Sequence, residues 1–401
     1  MPEILAQLLR FLYGENLGCH PGSPRPTPSA AWCWRACLLA ALSGAWLQAV
    51  SQYVTPPGAE TLLDRRFDFS APVPAAVVRV PRVVGHLGPR QLGLVINTAD
   101  PYSVEVGATY IRARGLTGAQ VLRVELPRRA ALTPAEFKVL ATAIDARFGA
   151  PIEALALAWV QPYAVNCNSI TGALALGYDG ELCEHPCSAS KPSPYFNAAT
   201  LRPHQELKLR PSMLLAAPDV ATAKAMIRRG VASDASLGWR GGLPSHAYFV
   251  TTADRARSVR APLFPPEARI AGVTVHRPSG ASIGRAERVL IYETGLPAVP
   301  DLDRVGWVDG ALADHLTSFG GVLDGSGGQM TALDWIASGA TASYGTVSEP
   351  CSIPQKFPNG QILLLNYLQG ATAIEAYWKS VAWPQQGLFI GEPLAAPFAR
   401  R

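Results

Sequence analysis

Asp314-His315-Leu316-Thr317-Ser318 sets an acid, an imidazole and a hydroxyl within five residues, and Gly320-Gly321 follow. A serine nucleophile needs a base within hydrogen-bond reach and N–H donors for the oxyanion. Ser318 is therefore the candidate nucleophile, His315 and Asp314 the candidate base and acid, and the Gly320 and Gly321 amides the candidate oxyanion donors. The spacing limits this reading. Adjacent side chains on a strand point to opposite faces, so Asp314 and His315 cannot both address Ser318 if the strand continues. Structural alternatives are a strand-end cap for His315 and a structural hydroxyl for Ser318. Glu349-Pro350 and Glu392-Pro393 each place an acid after a β-like run, before a proline that enforces an extended exit. Glu349 joins the catalytic candidates; Glu392 and Glu293, the latter in Glu293-Thr294-Gly295, are binding candidates. Carboxylates at strand ends can act as acid and base or grip a cation, or they can accept N–H groups from loops.

Three other clusters carry chemistry-bearing residue types. Asp324-Gly325-Ser326-Gly327-Gly328 lacks the Lys-Ser/Thr of a P-loop and the spacing of a dinucleotide fingerprint, so it reads as a turn rather than a phosphate cradle. Arg255, Arg257 and Arg260 read as a solvated loop, with an anion-binding rim as the alternative. Cys167, Cys183, Cys187 and Cys351 form an even set suited to disulfides; with His185 and His204 they also offer ligands for zinc, and free thiols are the third reading. Three pairings are open, Cys183–Cys187 with Cys167–Cys351 among them. No metal site or cofactor follows from these residues.

The elements that position these groups read as an α/β fold. Residues 92–96 are β-rich. Residues 102–114 have helical spacing, with Val104, Ala108 and Ile111 on one face and Gly115 at the end, and residues 121–126 form a second strand, completing a βαβ unit of parallel strands. Thr133-Pro134-Ala135-Glu136 is a capping box that starts a helix to about residue 148. Residues 152–160 and 213–217 are further strands; Asp219 caps a helix ended by Gly230. Strands are expected at 247–251, 273–276, 289–292 and 388–390, and two helices, split by Gly370, at 359–369 and 372–380. The stretch 307–349 contains two Gly-Ala-x-Ala segments, read as buried strands whose ends near Ser318 and Glu349 share one rim of the sheet, where ligands bind in open α/β sheets. The fold expected is a doubly wound, mainly parallel sheet with helices on both faces, over residues 91–398, with a cysteine-containing loop insertion at 167–211.

The chain has 401 residues, 48% hydrophobic and 16% charged, with a net charge of +5 that is not clustered. That composition describes a globular protein and argues against a nucleic-acid platform. Residues 1–49 read as a secretory signal with a long n-region: Arg35 precedes an apolar run of about a dozen residues, short of the roughly 20 that span a bilayer. A buried helix or uncleaved anchor is the alternative, and membrane contact is expected only through this segment. Residues 50–90 read as a proline-rich linker, with residues 77–84 as an edge strand. The expected location is periplasmic or extracellular, with an unidentified envelope or exported protein as partner.

INTADPYSVEVGATYIRARG, GALADHLTSFGG with GATASYGTVSEPC, LQGATAIEAYWKSV and GEPLAAPF, taken in order, resemble an uncharacterised family of exported bacterial proteins found in species with an exosortase sorting system. The resemblance implies export and no defined activity. More distantly, the order of elements is similar to that of the gingipain-like, caspase-fold cysteine peptidases, in which a histidine follows one strand and a nucleophilic cysteine the next. Aligned on that pattern, the positions fall at the turn Glu293-Thr294-Gly295 and at Ser318, without the histidine or the cysteine. The resemblance implies a caspase-like fold in either a non-catalytic binding factor or a hydrolase that uses Ser318.

Overall fold

The computed structural model describes residues 80–82, 85–239 and 241–400, which belong to the compact unit Pro74–Arg401. The leader read at 1–49 and most of the linker and edge strand read at 50–90 lie outside these residues. In chain order the elements are β1 (Leu92–Asn97), α1 (Pro101–Arg114), β2 (Val121–Val124), β3 (Ala131–Leu132), α2 (Pro134–Arg147), β4 (Ala154–Leu157), β5 (Ala164–Val165), β6 (Asn168–Ser169), α3 (Ile170–Leu176), α4 (Glu181–Glu184), α5 (Pro203–Leu207), β7 (Ser212–Leu214), α6 (Val220–Ser233), β8 (Ser245–Phe249), β9 (Ala268–Ile270), β10 (Val273–His276), β11 (Ala286–Thr294), β12 (Val305–His315), α7 (Ala332–Ser338), β13 (Ala342–Thr346), α8 (Gly360–Leu368), α9 (Ala373–Ser380) and β14 (Gly387–Gly391).

Local sequence explains many of these boundaries. Thr133 and Glu136 form the expected capping box: Glu136 N donates to Thr133 Oγ1, and Thr133 N to Glu136 Oε2. Asp219 caps α6 through Thr222 N at 2.8 Å, and Gly115 closes α1 in the left-handed region at φ 64°. The buried face of α1 differs from expectation. Val104 is exposed, while Val106, Gly107 and Tyr110 are buried. Gly107 decides this: a Cβ there would lie 2.6 Å from Ile96, so only glycine lets the helix close on β1 on that side. Likewise Gly230 does not end α6 but lies within it, where a Cβ would meet Glu392 at 2.4 Å.

An eleven-stranded sheet runs β2-β1-β4-β7-β14-β13-β12-β11-β8-β10-β9. Every pairing is parallel except β13–β14 and β9–β10. Because β14 is parallel to β7 but antiparallel to β13, the sheet consists of two parallel halves running in opposite directions. The C-terminal ends of β1, β4, β7 and β14 thus lie on one rim, and those of β8, β11, β12 and β13 on the other. Helices cover both faces. Trp335 of α7 packs edge-on to Tyr292, and Trp378 of α9 stacks on Phe389 at 4.5 Å from the opposite side. The segment expected as a loop insertion is partly core: Ser169 caps the buried helix α3 through Gly172 N, and a Cβ on Gly172 would strike the Gln385 carbonyl at 2.6 Å.

Disulfides join Cys167 to Cys183 and Cys187 to Cys351. Neither bond of the pairing named from the sequence forms, and with all four sulfurs oxidised the zinc and free-thiol readings fall. Two disulfides fit an oxidising, exported environment. Among the described residues no helix is long and apolar enough to cross a membrane.

Candidate functional site

Strand register builds one row across five strands. Phe249, Glu293, Asp314, Tyr344 and Phe389 are successive Cα partners on β8, β11, β12, β13 and β14, so all five side chains project to the same face. The two acids at the centre are fully buried. Arg260, from the loop after β8, is also buried and reaches over them: its Nη1 lies 2.7 Å from Asp314 Oδ1 and 3.6 Å from Glu293 Oε2. The same guanidinium donates to the Thr294 carbonyl at 2.9 Å and the Pro358 carbonyl at 3.3 Å, and lies 5.8 Å from the Phe357 ring centroid. Arg260 is therefore neither the solvated residue nor the anion-binding rim expected from its arginine-rich loop.

The Asp314 contact is an ion pair without hydrogen-bond alignment, and the oxygens of both acids lack an aligned donor among the described residues. One guanidinium cannot neutralise two buried carboxylates. Burial and the neighbouring Asp314 push the Glu293 carboxyl well above its ordinary range, whereas burial raises Asp314 against the opposing pull of Arg260. Asp314 is closer to the guanidinium, which favours its charged form, whereas Glu293 is the member whose protonated form burial and Asp314 favour. For Arg260, burial alone lowers the pKa, and the two acids outweigh it. Gly360 at the start of α8 seals the cluster, since a Cβ there would lie 2.9 Å from Glu293 Oε2.

The opposite face carries His315. Its Nε2 donates to the Met330 carbonyl at 3.1 Å, and its Nδ1 accepts Trp335 Nε1–H at 2.9 Å. Burial lowers its pKa to about 4, so the ring is neutral and both nitrogens are occupied. It holds α7 against β12 and has no lone pair for Ser318. Asp314, His315 and Ser318 are not brought together, because the strand runs through His315 and sends the acid and the imidazole to opposite faces, as the pleat requires.

Ser318 is half-buried on the loop beyond β12, with its carbonyl accepting Thr346 Oγ1 at 2.9 Å. Glu349, beyond β13, emerges on the same rim, where its Oε1 accepts Cys351 N–H at 2.7 Å. The Gly321 amide is not free for an oxyanion: it donates to the Thr346 carbonyl at 2.8 Å, and Gly320 and Gly321 pack against Gly345, where a Cβ would come within 2.3 Å of Gly320. Asp324 Oδ1 accepts the Ser326 amide and hydroxyl, which makes 324–328 the turn expected.

Glu392 lies on the other rim, because β14 is antiparallel to β13. Arg114 grips it through Nε at 2.9 Å and Nη2 at 2.7 Å, and Tyr110 donates to its Oε1 at 2.7 Å. This clamp ties β14 to α1; it cannot act with Glu349 as an acid–base or cation-binding pair. Among the described residues no group of three or more His, Cys, Asp or Glu side chains is placed to hold a metal.

The sequence reading missed Arg260 as the partner of both acids. It also missed Lys356, a buried amine that donates to the Pro186 carbonyl and whose pKa burial lowers to about 8. Nothing in the sequence sets Arg260 apart from Arg255 and Arg257, and Lys356 belongs to no motif. Set against known proteins, this chain matches no family model, no curated protein and no solved structure.

Proposed function

We propose that this chain is an exported, caspase-like α/β protein that serves as a non-catalytic binding or accessory factor in cell-envelope or extracellular-matrix processing. The observation that carries this reading is the internal use of the strand-end polar groups. Glu293 and Asp314 are closed around Arg260, and both nitrogens of His315 are bonded to Met330 and Trp335. A general base must reach the proton it abstracts, and a group with no free lone pair or access does not. The two disulfides support the exported setting.

The competing reading is a hydrolase in which half-buried Ser318 is the nucleophile. A fluorophosphonate probe and a peptide library applied to the purified chain separate the two. The expected outcome is no covalent labelling and no turnover. Labelling that disappears in Ser318→Ala overturns the non-catalytic reading.

A further inference from the structure

Exposed large apolar side chains are few among the described residues, and three of them gather at one corner. Trp239 is 58% exposed and Leu243 73% exposed on the loop between α6 and β8, and Ile270 is 38% exposed at the end of edge strand β9. Trp239 and Leu243 line a cleft of about 130 Å³ together with Ala271 and Gly272, which make the β9–β10 turn directly after Ile270. The loop is held in place. Arg288 donates to the carbonyls of Pro244 at 2.9 Å and Leu243 at 3.1 Å, and Trp239 Nε1 donates to the Ala235 carbonyl at 2.9 Å. The indole N–H is thus satisfied from within while much of the ring surface faces solvent.

The charges beside this tip are mainly positive. Arg269 is exposed on β9 and makes no ion pair among the described residues, and Arg288 braces the loop. Of the nearby acids, Glu287 pairs with Arg285 at 3.8 Å and Glu267 accepts the Arg277 amide at 3.2 Å. On the Arg269 side of the sheet, Thr274 and His246 continue its row, and His246 Nδ1 lies 2.9 Å from His276 Nε2. A tryptophan and a leucine projecting beside uncompensated arginines have the chemistry of an interfacial anchor: the apolar groups enter the headgroup layer and the guanidiniums meet phosphate.

We propose that Trp239, Leu243 and the adjoining β9–β10 edge form a docking surface for an anionic phospholipid bilayer, with Trp239 and Leu243 as the inserting groups and Arg269 as a phosphate contact. This adds a second membrane contact to the one expected from the leader and does not depend on the reading of the strand-end residues.

The test is co-sedimentation of the full-length chain with vesicles of phosphatidylglycerol and phosphatidylcholine, compared with phosphatidylcholine alone. The leader contributes equally to every variant, so the differences isolate the loop. Trp239→Ser/Leu243→Ser is expected to weaken binding to the anionic vesicles about ten-fold or more, in line with losing two apolar insertions. Arg269→Glu is expected to weaken it about five-fold, and added salt to reduce the wild-type advantage. All of these residues are exposed, and thermal melting verifies that the variants fold. Equal binding of wild type and both variants overturns the proposal. So does a wild-type dimer that the double substitution dissociates while vesicle binding is unchanged, which assigns the patch to a second copy.

Discussion

Glu293 and Asp314 are in-register partners on neighbouring parallel strands, and one buried guanidinium, that of Arg260, serves both. Like charges placed side by side in a core are tolerated only when one is neutralised. This arrangement sits at the strand ends where an accessible pocket was expected, and it makes that rim a packed polar core.

Replacing the Glu293 carboxyl by a neutral amide is expected to cost little. Glu293→Gln keeps the shape and the neutral state, so stability at pH 7 should stay within about 1 kcal/mol of wild type or rise. Arg260→Met leaves the two buried acids without their cation and should cost about 3–5 kcal/mol, whereas Asp314→Asn lets Glu293 ionise and take over the guanidinium from its greater distance, and should cost less. Urea unfolding of the three variants measures the contrast. A large loss in Glu293→Gln would show that Glu293 is the ionised member.

Stability should have two opposing limbs in pH. The folded-state pKa of Glu293 is raised, so the folded protein holds a proton the unfolded chain releases, and stability falls as pH climbs above the ordinary carboxylate range near 4.5. The folded pKa of His315 is lowered from 6.5 to about 4, so the unfolded chain binds the extra proton; stability is lost as pH falls from 6.5 toward 4. A shift of that size corresponds to about 3 kcal/mol. Chemical denaturation from pH 4 to 9 should show the alkaline decline shrink in Glu293→Gln while the acid limb remains.

The two disulfides should differ in weight. Cys187–Cys351 closes 164 residues of sequence separation and Cys167–Cys183 only 16. On chain entropy the longer loop is worth about 5 kcal/mol and the shorter about 3. Non-reducing peptide mapping should recover both pairs, and Cys187→Ser/Cys351→Ser should melt lower than Cys167→Ser/Cys183→Ser.

Gly230→Ala tests the packing of α6 on Glu392. The new methyl would meet a side chain fixed by Arg114 and Tyr110, so it cannot be relieved by a rotamer change. A loss of about 1–3 kcal/mol is expected, against little change for Gly118→Ala, whose Cβ has open space. Thermal melts of the two variants decide it.

Local chemistry was legible from the sequence alone. The Thr133–Glu136 box, the Asp219 cap and Gly115 act within one helical turn, so their residues suffice to announce the element. The pleat argument also separated Asp314 from His315 without coordinates. The reversal at β14 is not read from the sequence: α8 and α9 are anticipated on either side of Gly370, but that they return the chain to the rim it left, so that β14 runs antiparallel to β13, is seen only in the fold. What only tertiary structure decided was everything set by meetings between distant segments. Arg260 looks like its exposed neighbour Arg255 until β11, β12 and α8 enclose it, and the cysteines pair according to which loops the sheet brings together. Periodicity and capping depend on neighbours along the chain, whereas burial of a charge and the choice of its partner depend on residues tens to hundreds of positions away.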